Sequence, residues 1–249
     1  MLLRRMSEHV KGQNWFAVAL DFVIVVFGVF IGFQLNTWND NRKLDEAYAQ
    51  ARARLVAESE ANITAIQALI RQNEAVLPVV RSAIAALETC DVSEESEAAF
   101  LKGLNQIRGT QSLKLRDSAL TALTHNESLL SRQTEDERDR LGEFERALMR
   151  TQENLDFLEH LPFDSPVEDH PAVALAGLEE ARLSERSWDV ISYRPLTLAM
   201  PFTQACRDPV LAKQFYEWER IASFQMLRAR QFQATLETNL AALGALQPG

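Results

Sequence analysis

Hydrophobic positions along this chain fall into two regimes. From Phe16 to Phe33 the sequence FAVALDFVIVVFGVFIGF is apolar on every helical face, with Asp21 its single charge. Beyond Trp38 the apolar residues thin to a stripe. Leu44, Tyr48, Ala51, Leu55, Ile66 and Leu69 recur at helical spacing, and Asn62, Asn73 and Val76 fall on the same line. That is the pattern of an amphipathic helix facing a core.

The first regime predicts a transmembrane helix over 15–38. Trp15 and Trp38 bracket it, 23 residues apart, which as helix spans about 34 Å, the hydrocarbon thickness and a little of each interface. Tryptophan suits both interfaces. The run is longer than a signal-peptide core, and the following QLNTWND offers no small-x-small cleavage site, so a retained anchor is expected. With no Gly or Pro after Trp38, the helix should continue to about Leu77, where Pro78 kinks or ends it. The Ala-rich stripe with imperfect heptads favours the first helix of a bundle over a coiled-coil stalk.

Further along, helix resumes over 79–89 and breaks at Cys90–Ser93, with Asp91 or Ser93 a candidate N-cap for a helix through Phe100 and Leu104. Gly103 and Gly109 flank the next loop, and a helix is expected from about Ser112 to Leu123 with a turn at His125-Asn126. Thr134 and Glu137 have capping-box spacing and open a helix carrying Leu141, Phe144, Leu148, Leu155 and Leu158, expected to end before Pro162. Residues 161–171 read as irregular, 172–183 as a shorter helix, and 187–207 as interrupted by prolines. A last helix runs from about Pro209 to Leu246, with Leu211, Phe215, Trp218, Ile221, Phe224 and Leu227 on its apolar side, then Phe232, Leu236, Leu240 and Leu243. The predicted fold is all-α: an N-terminal transmembrane helix continuing into a long amphipathic helix, followed by an antiparallel helical bundle. It divides into a short basic tail (1–14), the span (15–38) and a soluble bundle (39–249).

Charge narrows the partners. The net charge is −9. Residues 1–38 hold Arg4, Arg5 and Lys11 against Glu8 and Asp21, a balance of +1, so the remainder carries −10. An acidic domain does not seek phosphate backbones, which argues against nucleic acid. Arg42, Lys43, Arg52 and Arg54 follow the span, so charge alone sets no clear orientation. A short basic tail that stays in the cytoplasm would put the soluble domain outside it, in a periplasm.

Candidate chemistry is sparse. Asp21, Gly28 and Gly32 are seven and four residues apart and share one helical face. The glycines form a GxxxG step that permits close helix approach. A carboxylate about 9 Å into the helix either reaches headgroup water or faces a partner. Cys90 and Cys206 form one disulfide in an oxidising compartment or remain two thiols. His160, Asp164, Glu168, Asp169 and His170 are metal-ligating types without ligand spacing, better read as an acidic loop. Trp188, Tyr193 and Arg194 either line a pocket or pack the interrupted segment. No nucleophile elbow or phosphate loop occurs, so no residue is assigned to catalysis and no cofactor is expected.

The stretch EHVKGQNWFAVALDFVIVVFGVFIGFQLNTWNDNR (8–42) resembles the opening of a family of uncharacterised bacterial single-pass proteins. The resemblance is carried by Asp21, Val25, Val26, Gly28, Val29 and Phe30, then Ile31, Gly32, Gln34, Asn36, Trp38 and Asn39. The segment 116–141 resembles the same family's middle region, with Asn126-Glu127 where Ser-Gly is expected. The resemblance implies an inner-membrane protein with a helical domain and brings no activity. It adds Gln34, Asn36 and Asn39 as a membrane-proximal interface. The expected function is a non-enzymatic accessory or scaffold subunit in the lipid bilayer, facing an integral membrane protein or a second copy of itself. The alternative is an extracytoplasmic helical-bundle sensor for a small ligand.

Overall fold

The computed structural model describes residues 15–182 and 190–244. It is an all-α fold with a helical bundle and a few short strands. Helix α1 (Trp15–Thr89) is a single rod of 75 residues. It passes through Pro78 without a break, where an ending was one of the two expectations. The missing amide hydrogen bond costs about 3 kcal/mol in an isolated helix. Here burial of Leu77, Val80, Ala83, Ile84 and Leu87 on both sides of the proline offsets it.

Six more helices follow: α2 (Glu94–Gln106), α3 (Ser118–His125), α4 (Glu127–Leu130), α5 (Glu135–Asp164), α6 (Phe202–Ala205) and α7 (Pro209–Gly244). Ser93 caps α2 through Ser96 N–H. Thr134 caps α5 by accepting from Glu137 N–H, but the Glu137 side chain turns inward toward Arg52 instead of closing the box. α5 runs on through Pro162 to Asp164, past its expected end. Gly103 lies inside α2 rather than beside a loop, because α2 crosses α1 so closely that a Cβ there would overlap the Cβ of Ala83.

Two cores are stacked along α1 and α7. One joins Val80, Phe100, Leu104, Phe202, Leu211 and Phe215. The other joins Leu55, Ile66, Leu120, Leu141, Phe144 and Leu236. Phe224 and Leu227, expected on the apolar side of α7, are exposed; Ala222, Gln225 and Met226 are buried instead.

One expected helix begins late and another is absent. Residues 109–117 lie outside any helix, and α3 begins at Ser118 rather than Ser112. The Asn62 side-chain amide pairs with both backbone groups of Arg116 (2.8 and 2.9 Å), and that of Gln152 bridges Leu115 N–H and Leu113 carbonyl (2.8 and 3.0 Å). Over 172–183, strand replaces helix. β1 (Val173–Leu175) pairs antiparallel with β4 (Leu196–Leu198), and β2 (Glu179–Arg182) with β3 (Val190–Tyr193). An isolated helix that short is marginal, whereas Asn105 of α2 clamps both backbone groups of Leu196 (2.8 and 3.0 Å) and fixes β4. The contact at Gly103 predicts that Gly103→Ala lowers stability by about 1–3 kcal/mol despite the better helix propensity of Ala. A thermal melt with an unchanged or higher midpoint would overturn the close crossing.

Candidate functional site

The N-terminal portion of α1 is long and apolar enough to cross a membrane, with a mean hydropathy of 2.0 and none of its most apolar window buried. Because α1 is unbroken, directions around it carry from the span into the bundle. Asp21 and Asn39 are 18 residues apart, five whole turns, so they lie on one line with Gly28 and Gly32. Among the described residues nothing lies within 4 Å of either glycine's open face. Asn36 sits beside that line, where its amide donates to Asp40 (3.2 Å). Gln34 falls near the opposite face, so the structure does not bring it together with the others. Trp38 is exposed; the Trp15 ring and the basic tail with Arg4, Arg5 and Lys11 lie outside the described residues.

Tyr48 is nine residues beyond Asn39, two and a half turns, and so points the other way. It faces the bundle, as do Asn41, which accepts from Arg132 (2.6 Å), and Asp45, 3.2 Å from the same guanidinium. The Asp21 line therefore runs on the back of α1, away from the bundle. Beyond the apolar run that back carries the small residues Ala53, Ala57, Thr64, Ala68 and Ala75, all exposed, with the charged Glu46 and Arg71 among them. Sequence periodicity identified the face but not its direction, which depends on where the remaining helices pack.

The end of the bundle nearest the apolar run is closed by a polar group the sequence reading missed. Arg52 donates to the Leu243 carbonyl at the end of α7 (3.1 Å) and lies 3.8 Å from Glu137 of α5. Burial, reinforced by Glu137, pushes the Tyr48 hydroxyl above its ordinary value. Its only sequence signal was a tyrosine and an arginine four residues apart on the core-facing side of α1.

The other candidate residues are dispersed. His160 bonds the Asp156 carbonyl (2.7 Å), and Glu168 pairs with Arg108. Asp169 closes a 3₁₀ turn (Val167–Asp169), and Asp164 ends α5 at a cavity described below. His170 is buried; its Nδ1 accepts from Ala172 N–H (3.1 Å), which leaves Nε2 as the protonated nitrogen facing Asp208 (3.6 Å). Asp208 in turn caps α7. Desolvation opposes the charge on Asp208, but Leu211 N–H, Val210 N–H and His170 outweigh it and hold the carboxyl below its usual range. Among the described residues no three His, Cys, Asp or Glu side chains converge as a metal site. Tyr193 bonds Glu179 across the β2–β3 hairpin (3.2 Å), and Arg194 bonds the Ala176 carbonyl (3.0 Å), so both hold the interrupted segment together. Trp188 lies outside the described residues.

A cavity of about 240 Å³ opens where α5 meets α7, with Ile107, Pro162, Val167 and Trp218 in its walls and Asp164, Gln214 and Glu217 among its polar groups. Comparison with protein-family models, curated proteins and solved structures found no match for this chain.

Cys90 and Cys206 are joined, with Cα atoms 5.4 Å apart. Cys90 ends α1 in the left-handed region (φ 49°), a position that glycine or asparagine fills at lower cost, and the bond to Cys206 pins it there. The bridge spans 116 residues of sequence, for which chain entropy gives about 4–5 kcal/mol. Cys90→Ser with Cys206→Ser is expected to lose stability on that scale in urea unfolding, and the wild type under reductant should match it. Equal midpoints for oxidised and reduced wild type would show that the bridge contributes nothing.

Proposed function

We propose that this chain is a non-enzymatic accessory or scaffold subunit of a bacterial inner membrane, docked through the back of α1 onto a larger membrane protein complex. The observation that carries the reading is the direction of the Asp21, Gly28, Gly32 and Asn39 line. A carboxylate in an apolar span is costly unless it finds water or a partner. The bundle of the same chain stands on the other side of the helix and supplies none. Gly28 and Gly32 leave room for a second helix backbone, and the exposed small residues above the membrane extend the same face. The soluble domain is read as periplasmic, in keeping with the disulfide. The family resemblance over 8–42 agrees with an inner-membrane anchor.

The test is a mild-detergent pull-down of the tagged full-length chain with cross-linking and mass spectrometry. A stoichiometric membrane partner is expected, and Asp21→Leu with Gly28→Ile should remove it while leaving the bundle's melting temperature unchanged. Membrane associations that survive the double substitution would sink the docking reading.

A sensor role is the second reading, supported by the cavity beside Trp218. Its apolar walls, the Asp164 carboxylate and the Gln214 acceptor suit a small amphipathic amine, while Glu217 is engaged by Arg220 of the same lining at 3.9 Å. Gln214 Oε1 is buried there without a hydrogen-bond donor among the described residues. In a thermal-shift screen of small organic amines, the expected outcome is a raised melting temperature that Gln214→Leu abolishes. A screen with no stabilising compound would remove this reading.

A further inference from the structure

The outer face between α5 and α7 carries a second feature, remote from the back of α1. Two adjoining grooves of about 490 and 250 Å³ run along it. Arg140, Arg146 and Arg150 line the first, where Glu143 is the one carboxylate, and Arg228 lines the second beside Arg150. None of the four arginines pairs with a carboxylate among the described residues. One terminal nitrogen of Arg140 is buried without an acceptor among the same residues, and Arg228 contacts only the neutral Gln231 amide (3.1 Å). A cationic strip of this kind stands out in a chain whose net charge is −9.

The strip is linear. Arg140 and Arg150 are ten residues apart on α5, about 15 Å along its axis, and Arg146 and Arg150 are about 6 Å apart by the same rise. Carboxylates on alternate residues of an extended peptide repeat at about 6.6 Å, close to that step. A compact phosphate would need the guanidinium groups to converge on one point. Thr151, Asn154, Thr235 and Asn239 each donate to a carbonyl of their own helix, which leaves their side-chain oxygens to accept from peptide N–H groups. Arg140 stands level with Tyr48 and Arg52, which lie ten or more residues past Trp38, roughly 15–20 Å along α1. The rest of the strip lies beyond them, out of reach of lipid headgroups.

We infer that the α5–α7 groove holds a short, extended acidic segment of a partner protein, its carboxylates paired with Arg146 and Arg150. Guanidinium groups match carboxylates in bidentate geometry. The site does not depend on the docking face of α1.

The test uses the full-length chain in an uncharged detergent and a fluorescent peptide of about ten residues alternating Glu and Ala, followed by anisotropy. Binding is expected at low salt and should weaken as salt screens the charges. Arg146→Gln with Arg150→Gln should weaken it about ten-fold. Lys102→Gln with Lys213→Gln, which removes equal charge from exposed positions on α2 and α7, should leave it unchanged. Circular dichroism must show both variants folded. Equal binding by wild type and the arginine variant would overturn the proposal, as would equal binding of the same peptide with Gln for Glu. Tighter binding of inorganic pyrophosphate than of the peptide, or arginine-dependent binding to phosphatidylglycerol vesicles, would also overturn it, assigning the strip to small anions or to the membrane.

Discussion

The segment Gly109–Arg116 threads between the long helices without secondary structure of its own, and the fold depends on satisfying its backbone. Each buried peptide group left unpaired would cost about 1–3 kcal/mol. Four side chains prevent that. Trp218 and Gln225 of α7 donate to the carbonyls of Gly109 and Gln111 (2.7 and 3.3 Å), Gln152 of α5 bridges Leu113 and Leu115, and Asn62 of α1 holds Arg116. Three helices far apart in sequence are tied to one strand-like segment. Glu58 of α1 then caps α3 immediately beyond it, accepting from Ala119 N–H (2.9 Å). Asn62, a polar member of the α1 stripe, thus serves the same purpose as its leucines, since it fixes which segments meet and at what height.

This arrangement makes α1 a rigid link between two environments. Its lower part is exposed on all sides and apolar, while its upper part is half covered by α2, α3 and α7. No loop or glycine separates them. The disulfide and the Asp208 cap secure the far end, and Arg52 with Glu137 secures the near end. Between them, the back of α1 and the α5–α7 strip remain open, one lined by small residues and the other by arginine. The two surfaces suit different contacts: close helix packing on the first and charge pairing on the second.

Much of this was legible in the order of residues. The Trp15–Trp38 run, the stripe from Leu44 to Val76, the caps at Ser93 and Thr134, and the apolar side of α5 all depend on interactions within a few turns. Each survives in the structure except the capping box, of which only the Thr134 half forms. Gly103 was misread as a loop residue because its role belongs to a crossing with Ala83, twenty positions away. The segment 172–183 has helix-forming composition, yet β1 forms there because β4, held by Asn105, offers a partner that local propensity does not register. Phe224 and Leu227 continue the hydrophobic pattern of α7 in sequence, but the packed face follows Ala222, Gln225, Met226 and Ala229.

Sequence by itself determined that α1 begins as an apolar run fit for a bilayer and that amphipathic helices follow, because side-chain polarity and helical period act over neighbouring residues. It also placed Asp21, Gly28 and Gly32 on one face. Tertiary structure alone decided which way that face points, that Cys90 meets Cys206, and that 112–117 and 173–182 leave the helical state. Those outcomes rest on hydrogen bonds and contacts supplied across tens of residues, where the free energy of an extended segment depends on partners that its own sequence does not contain.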